Sequence, residues 1–188
     1  MQQEYLLDTN AFFNILKAMN PCSPTKGELP DQLTELLTEK ISISSITKVE
    51  IISVLGKYAR GNSGGIQKCN CIISKQGDLC QNSRYLQARK KWNNRKIKAW
   101  LQLIREIVDG RSKLLNVEIE SFDQNTVFEA EKIIMHALSN NFASMDAMIA
   151  ATAKIAREHK REVAVITSDK GLKACLDKCG IPYYDWFA

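Results

Sequence analysis

Short apolar runs alternate along the chain with longer segments in which apolar residues recur every three or four positions. The short runs are the candidate strands, and they cover residues 5–7, 41–44, 114–119, 163–167 and 182–184. The longer segments are the candidate helices, and they cover residues 9–19, 31–40, 47–60, 84–108, 124–138, 144–159 and 168–179. Buried strands that alternate with helices predict parallel βαβ units, and therefore a three-layer α/β/α sandwich with a mostly parallel central sheet.

One stretch departs from this alternation. Residues 61–83 are polar, rich in glycine and typical of turns, and they lead into the basic helical pattern at 84–108. A chain of 188 residues is long enough for one domain with a substantial core. We therefore predict a single domain over residues 1–188, with an inserted loop and a basic helix at about 60–98.

The net charge of +5 is unevenly distributed. Between Arg60 and Lys98 there are ten Lys or Arg residues and one acidic residue, Asp78, whereas the rest of the chain has 16 basic and 20 acidic residues. A basic segment on an otherwise acidic protein indicates a polyanionic partner. The alternative interpretation is a charged helix face that is only solvated.

The six cysteines lack the regular spacing of a disulfide framework, so we expect free thiols. Cys69, Cys71 and Cys80 cluster in the sequence and could hold a metal, although no fourth ligand lies nearby. The first residues lack the pattern of a secretory signal, and no apolar run reaches the ~20 residues of a membrane helix. These features predict a cytoplasmic protein without a membrane partner.

Four carboxylates occupy corresponding places at the ends of strands or the starts of helices. Asp8 and Asp169 each follow a candidate strand, and Glu50 and Asp146 lie in the first turns of helices. Each acid alone could be a helix cap or a complement to the helix dipole. Glu50, for example, could complete a capping box with Thr47.

Taken together, the four acids have a second interpretation. The carboxyl ends of parallel strands meet at one edge of a sheet, so these side chains should converge there and raise each other's pKa values unless a cation lies between them. Oxygen ligands of this kind suit Mg²⁺ or Mn²⁺. With only His136 and His159 in the chain, a zinc hydrolase has little support. Such a site would hydrolyse phosphodiester bonds with an activated water.

The motifs that contain these acids resemble those of PIN-domain proteins. They are L-L-D-T-N from residue 6, V-E-I-I from residue 49, M-D-A-M-I-A-A-T-A from residue 145 and V-I-T-S-D-K-G-L from residue 165. Within that family the series is most similar to the VapC-type toxins of bacterial toxin–antitoxin pairs, over about residues 1–58 and 113–186. The basic stretch goes beyond the compact family pattern, and Leu172 stands where an aromatic residue is often found.

The resemblance implies an endoribonuclease that uses Mg²⁺ or Mn²⁺. The catalytic and metal-binding acids would be Asp8, Glu50, Asp146 and Asp169. Asn10 and Thr167 match polar positions that flank the site and can orient water or a ligand. The resemblance also implies a homodimer, and a small antitoxin protein that inserts a peptide into the cleft.

The basic helix is the predicted RNA-binding surface. Its Tyr85, Trp92 and Trp100 are spaced seven and eight apart, so they should share one helix face that packs inward or against a partner. The cations predicted to contact RNA are Arg89, Lys90, Lys91, Arg95, Lys96 and Lys98. An acidic antitoxin surface could use the same patch.

Three other functions compete with a toxin ribonuclease. An RNA-processing PIN nuclease without an antitoxin is hardly separated from it by sequence. A haloacid-dehalogenase-like phosphohydrolase also begins with an Asp after a strand, but it needs a second acid two positions later, where this chain has Asn10. A non-catalytic PIN-like module that binds RNA or protein has no use for four mutually repelling acids.

Overall fold

The computed structural model describes residues 3–19, 39–68, 80–113, 115–138 and 142–186. Its elements, in chain order, are β1 (Gln3–Leu7), α1 (Thr9–Met19), β2 (Lys40–Ser44), α2 (Ser45–Arg60), β3 (Gly65–Lys68), β4 (Ser83–Leu86), α3 (Asn94–Val108), β5 (Glu118–Glu120), α4 (Gln124–Ile134), a 3₁₀ turn (Met135–Leu138), α5 (Ser144–Glu158), β6 (Glu162–Ile166), α6 (Lys170–Cys179) and β7 (Tyr183–Tyr184). The predicted helix at 31–40 lies mostly outside the described residues.

The central sheet has five strands in the order β5-β2-β1-β6-β7, and every pair in it is parallel. Strand β1 lies in the middle, with Leu7 opposite Ile43 on one side and Ile166 on the other. Helices connect and flank these strands, which confirms the predicted α/β/α sandwich with a mostly parallel sheet. The strand ends that carry Asp8 and Asp169 therefore lie at the same edge.

The core is formed by the apolar faces of the helices against the sheet. Helix α1 buries Phe12, Ile15 and Leu16 completely, and such side chains each contribute about 1.5–3 kcal/mol by leaving water. Helix α5 buries a run of alanines instead, because small side chains let neighbouring backbones approach closely. The buried alanines of α5 are Ala147, Ala150, Ala151, Ala153 and Ala156.

The structure divides into two compact units, of which one is Met1–Val54 with Leu101–Ala188 and the other is Leu55–Trp100. The first contains the central sheet and the four candidate acids. The second contains a two-stranded antiparallel sheet, in which Gly65 of β3 pairs with Leu86 of β4. The division of charge follows the same boundary: residues 55–100 hold eleven Lys or Arg and one acidic residue. The single domain remains a prediction.

The predicted basic helix is wrong over its first ten residues. Ser83–Leu86 is a strand, and the regular helix begins only at Asn94. Asn93 sets this start, because its side-chain Oδ1 accepts a hydrogen bond of 2.8 Å from the Lys96 backbone N–H and thereby caps the helix. The shared aromatic face is wrong as well: Tyr85 is 74% exposed on the strand, whereas Trp100 is buried.

The other predicted elements differ from the structure mainly at their ends. The strand expected at 114–119 pairs with β2 only over Glu118–Glu120, and the helix expected at 124–138 ends in a 3₁₀ turn. Cys80, Cys175 and Cys179 are free thiols, as predicted. Cys69 and Cys71 lie outside the described residues, so the structure does not test whether the three clustered cysteines hold a metal. Within the described ranges no helix is both long enough and apolar enough to span a bilayer.

Candidate active site

Asp8 lies at the centre of the sheet edge, one residue after β1, and only 3% of it is exposed. Its Oδ1 accepts a hydrogen bond of 2.5 Å from the Ala11 backbone N–H in the first turn of α1. Its Oδ2 accepts one of 2.5 Å from the hydroxyl of Thr167, which follows the adjacent strand β6. The carboxylate is thus fixed from two directions, although it is buried and close to other acids.

Burial raises the pKa of Asp8 from its usual 3.8 to about 6. The negative charges of Asp169 and Glu50 push this pKa in the same direction, whereas the hydrogen bonds from Thr167 and Ala11 lower it. A carboxyl group with a pKa near 6 is one whose charge the surroundings do not fully compensate. The site therefore favours an added positive charge.

Asp169 caps the next helix. Its Oδ1 accepts hydrogen bonds from the backbone N–H groups of Gly171 at 2.7 Å and Leu172 at 3.0 Å. Its own backbone N–H donates to the Thr167 hydroxyl oxygen at 3.0 Å. The helix-cap interpretation of Asp169 is thus correct, but capping occupies one oxygen. Among the described residues, none donates a hydrogen bond to the other oxygen, Oδ2.

Asp146 has a comparable double role in the first turn of α5. Its Oδ2 accepts a hydrogen bond of 2.8 Å from the Ala143 backbone N–H, which helps to begin the helix. Burial raises the pKa of Asp146, and the charges of Asp169 and Glu50 raise it further. Electrostatic interaction with both acids means that Asp146 belongs to the same cluster as Asp8.

Glu50 is not the partner of a capping box at the start of α2. The helix begins at Ser45, and the Ser44 hydroxyl accepts a hydrogen bond of 3.2 Å from the Thr47 backbone N–H. The Glu50 carboxylate instead accepts a hydrogen bond from the hydroxyl of Thr9, the residue after Asp8. Glu50 therefore points toward the edge at which Asp8 lies, and a cap does not explain its position.

A cleft of about 530 Å³ opens between the starts of α5 and α6. Its lining contains two of the four acids, together with residues of α1, of α6 and of the loops before α5 and α6. They are Asn10, Phe142, Ala143, Asp146, Ser168, Asp169, Lys170 and Gly171. Asn10, which was predicted to flank the site, is exposed in this cleft.

Two side chains of the site were not identified from the sequence. Thr9 orients Glu50, but a Thr at the first position of a helix is ordinary and gives no signal of its own. Lys170 brings a positive charge to a cleft lined by carboxylates. Its only signal in the sequence is its place directly after Asp169.

The donor groups fit a hard divalent cation in chemistry, since the cluster offers only carboxylate and hydroxyl oxygens and the pKa values of Asp8 and Asp146 are raised. In the part of the chain that the structure describes, no three His, Cys, Asp or Glu side chains already stand at metal-binding spacing. The acids therefore converge on one edge without closing a ligand cage. Binding of a cation would require further approach of these side chains.

The chain belongs to the PIN domain family, because the model of that family matches residues 5–175. PIN domains are generally nucleases, and PIN nucleases generally use divalent metals. A solved structure described as the crystal structure of FitAcB from Neisseria gonorrhoeae is similar to the chain, with a TM-score of 0.54 and 18% sequence identity. The similarity covers 97% of this chain and 98% of that one, and at this identity it concerns the fold alone. No curated protein matches the sequence.

Proposed function

We propose that the chain is a Mg²⁺- or Mn²⁺-dependent endoribonuclease that hydrolyses RNA phosphodiester bonds. The observation that carries the proposal is the convergence of Asp8, Glu50, Asp146 and Asp169 on one sheet edge. The raised pKa of Asp8, about 6, supports it: burial, and to a smaller extent the charges of Asp169 and Glu50, disfavour the ionised carboxylate, and a bound cation would offset both effects.

The four acids would hold the cation, which supplies an activated water and stabilisation of charge on the phosphate when bound. Thr167 holds Asp8 and Thr9 holds Glu50, so the hydroxyls fix two of the acids in place. Asn10 and Lys170 line the cleft and would contact the ribose and the phosphate of the RNA. Glu50 would take the proton from the attacking water, because the Thr9 hydroxyl bonds to its Oε2 and, among the described residues, none donates to its Oε1.

The test is cleavage of a labelled RNA by purified wild-type protein and by Asp8→Asn and Asp146→Asn, with Mg²⁺, with Mn²⁺ and with a chelator. We expect cleavage by the wild type only with the metal, and a loss of at least about 100-fold in either variant. Asp177→Asn is the matched control, since Asp177 is an exposed carboxylate of α6 and should be neutral. Equal cleavage by all four proteins, or cleavage in chelator, would overturn the assignment of the site.

We further propose that the chain is the toxin of a type II toxin–antitoxin pair, acting in the cytoplasm as a homodimer. This proposal rests on the similarity of its motifs to VapC-type toxins. Expression of the wild type should arrest growth, Asp8→Asn should not, and a small protein encoded immediately upstream should relieve the arrest. Sedimentation of the purified protein tests the dimer.

A PIN nuclease that processes RNA without an antitoxin is the alternative. It would cleave RNA without arresting growth and would have no small partner gene. Sequencing of RNA 5′ ends after brief expression of the wild type, beside Asp8→Asn, would identify the RNA that is cut.

A further inference from the structure

The unit Leu55–Trp100 contains a pocket of about 390 Å³ that is distinct from the cleft with the four acids. The pocket is lined by cations, aromatic rings and one amide, without any acid. Its residues are Tyr58, Arg89, Lys90, Lys91, Trp92, Asn93 and Lys96. Such a lining favours an anionic ligand with flat groups.

The wall of the pocket is held by backbone hydrogen bonds. Asn62 and Arg89 exchange backbone hydrogen bonds of 2.9 and 3.0 Å, and the Trp92 N–H donates to the Ala59 carbonyl at 2.9 Å. These bonds fix residues 89–93 against the C-terminal end of α2. At Gly61, which has φ of +67°, a Cβ atom would lie 2.3 Å from the Arg89 carbonyl oxygen. The backbone at Arg89 therefore lies so close to residue 61 that only a glycine fits there.

Two of the cations lie over aromatic rings. The guanidinium of Arg89 stands 4.4 Å from the centre of the Tyr58 ring, and the ammonium of Lys96 stands 4.3 Å from that of Trp92. Trp92 in turn packs on Trp100 at 5.4 Å between ring centres. A guanidinium supported in this way keeps its N–H edge available for two oxygens of one phosphate, and its outer face is available for a base.

Within the described ranges, no carboxylate pairs with these cations. Among the described residues, none of the four cations of the pocket forms an ion pair, whereas cations of the other unit such as Arg161, Lys154 and Lys173 do. Four like charges around one small pocket repel one another. A bound polyanion would relieve this repulsion, and counterion release would contribute to its affinity.

We infer that this pocket binds a single-stranded segment of RNA, with phosphates on Arg89, Lys90, Lys91 and Lys96. Single-stranded RNA has both features that the pocket matches, since its phosphates are accessible and its unpaired bases can stack on an arginine plane. The inference rests on the proposed function in taking RNA as the substrate. It also separates the six predicted RNA-binding cations into four that line the pocket and two, Arg95 and Lys98, that do not.

The experiment compares two triple variants with the same change in charge. The pocket variant is Lys90→Gln with Lys91→Gln and Lys96→Gln. The control variant is Lys68→Gln with Arg95→Gln and Lys98→Gln, which are exposed residues of the same unit outside the pocket. Affinity for a labelled single-stranded RNA of roughly ten nucleotides is measured against salt concentration in chelator, so that neither metal nor cleavage contributes.

For the pocket variant we expect at least a tenfold loss of affinity at low salt, and a salt slope that falls by about 2, which is about 0.7 for each phosphate contact on a single strand. In the control variant, the salt slope should fall by less than half of that amount. Equal losses in both variants would mean that diffuse charge, and not the pocket, holds the RNA. Circular dichroism checks that both variants remain folded.

Arg89→Lys provides a second, charge-conserving test. It keeps the positive charge but removes the planar fork and its stacking on Tyr58, so a several-fold loss of affinity is expected. Wild-type affinity in Arg89→Lys would contradict the assigned geometry. Tighter binding of a polyglutamate peptide than of RNA would assign the pocket to an acidic protein partner and overturn the inference.

The outcomes separate this inference from the proposed function. If the wild type binds RNA through the pocket but does not cleave it with Mg²⁺ or Mn²⁺, the nuclease proposal fails and the pocket stands. If the wild type cleaves RNA and the pocket variant keeps its affinity, the pocket fails and the nuclease proposal stands.

Discussion

The Thr167 hydroxyl donates a hydrogen bond of 2.5 Å to Asp8 Oδ2, although the two residues are 159 positions apart in the sequence. The same hydroxyl oxygen accepts a hydrogen bond from the Asp169 backbone N–H. The Thr167 backbone N–H is in turn bound to the Tyr184 carbonyl at 3.0 Å. One threonine therefore connects two of the four acids to each other and to the adjacent strand β7.

Replacement of this threonine should change the pH dependence of the proposed cleavage. Thr167→Val keeps the shape but removes the hydrogen bond that lowers the pKa of Asp8, so that pKa should rise above about 6. The acidic limb of the pH–rate profile should move to higher pH, with a larger loss of rate at pH 6 than at pH 8. Thr152→Val is the control, because Thr152 is a buried threonine whose hydroxyl donates to the Met148 carbonyl of its own helix. Identical profiles for the two variants would contradict this role.

Asp8→Asn should stabilise the metal-free protein at neutral pH. The pKa of Asp8 is about 6 in the folded protein against 3.8 ordinarily, so ionisation costs the folded state more than the unfolded state. The penalty is absent below about pH 4, grows as pH rises to 6 and is constant above. Asp8→Asn removes it, which should raise the free energy of unfolding by up to roughly 3 kcal/mol at pH 7.

Urea unfolding of wild type and Asp8→Asn at pH 4 and pH 7, in chelator, measures this difference. The advantage of the variant should appear at pH 7 and vanish at pH 4. Asp177→Asn, at an exposed position, should match the wild type at both values of pH. A variant that is less stable than the wild type at pH 7 would show that Asp8 is already compensated.

Divalent metal should raise the melting temperature by binding to Asp169. This effect can be separated from the role of Asp169 as a helix cap. Asp169 and Asp123 both cap helices with their side chains. Asn caps about as well as Asp, so Asp169→Asn and Asp123→Asn should each keep the helix start. Saturation with Mg²⁺ at about 100 times its dissociation constant stabilises by about 2.7 kcal/mol. Thermal melts should give this shift in the wild type and Asp123→Asn but not in Asp169→Asn.

Gly61→Ala should destabilise the unit Leu55–Trp100 by more than the strain of a positive φ accounts for. Gly61 and Gly110 both have a positive φ, +67° and +68°. An alanine at either position would therefore carry the strain of an L residue in this conformation, about 1–2 kcal/mol. Only at Gly61 would the new Cβ meet backbone, 2.3 Å from the Arg89 carbonyl oxygen. We expect Gly61→Ala to lose more stability than Gly110→Ala by about 1 kcal/mol or more, together with RNA affinity. Equal losses in chemical unfolding would contradict the close packing.

The sheet and its order of helices were predictable because the strands around Leu7 and Val165 are buried on both faces and read as unbroken apolar runs. The positions of Asp8 and Asp169 follow from that sheet. The orientation of Glu50 did not follow, because a Thr three residues before a Glu at a helix start also fits a capping box. Only the tertiary hydrogen bond from Thr9 distinguishes the two arrangements.

The strand at Ser83–Leu86 was missed for a different reason. Its apolar positions continue the helical spacing of the segment that follows, and its partner Gly65–Lys68 carries no alternation of buried and exposed residues, since all four are exposed. Pairing with a distant segment decides its conformation, and local pattern does not report such pairing. The start of α3 has a local determinant, the Asn93 side chain, but the sequence analysis did not identify it because the apolar spacing continues across it.

The central position of β1 has a consequence for synthesis of the protein. In the chain, the neighbours of Asp8 in the fold, β6 and Thr167, come about 160 positions after it. A nascent chain therefore carries Asp8 long before Asp146 and Asp169 exist to complete the cluster. The cluster of four acids is therefore complete only once translation has passed residue 169.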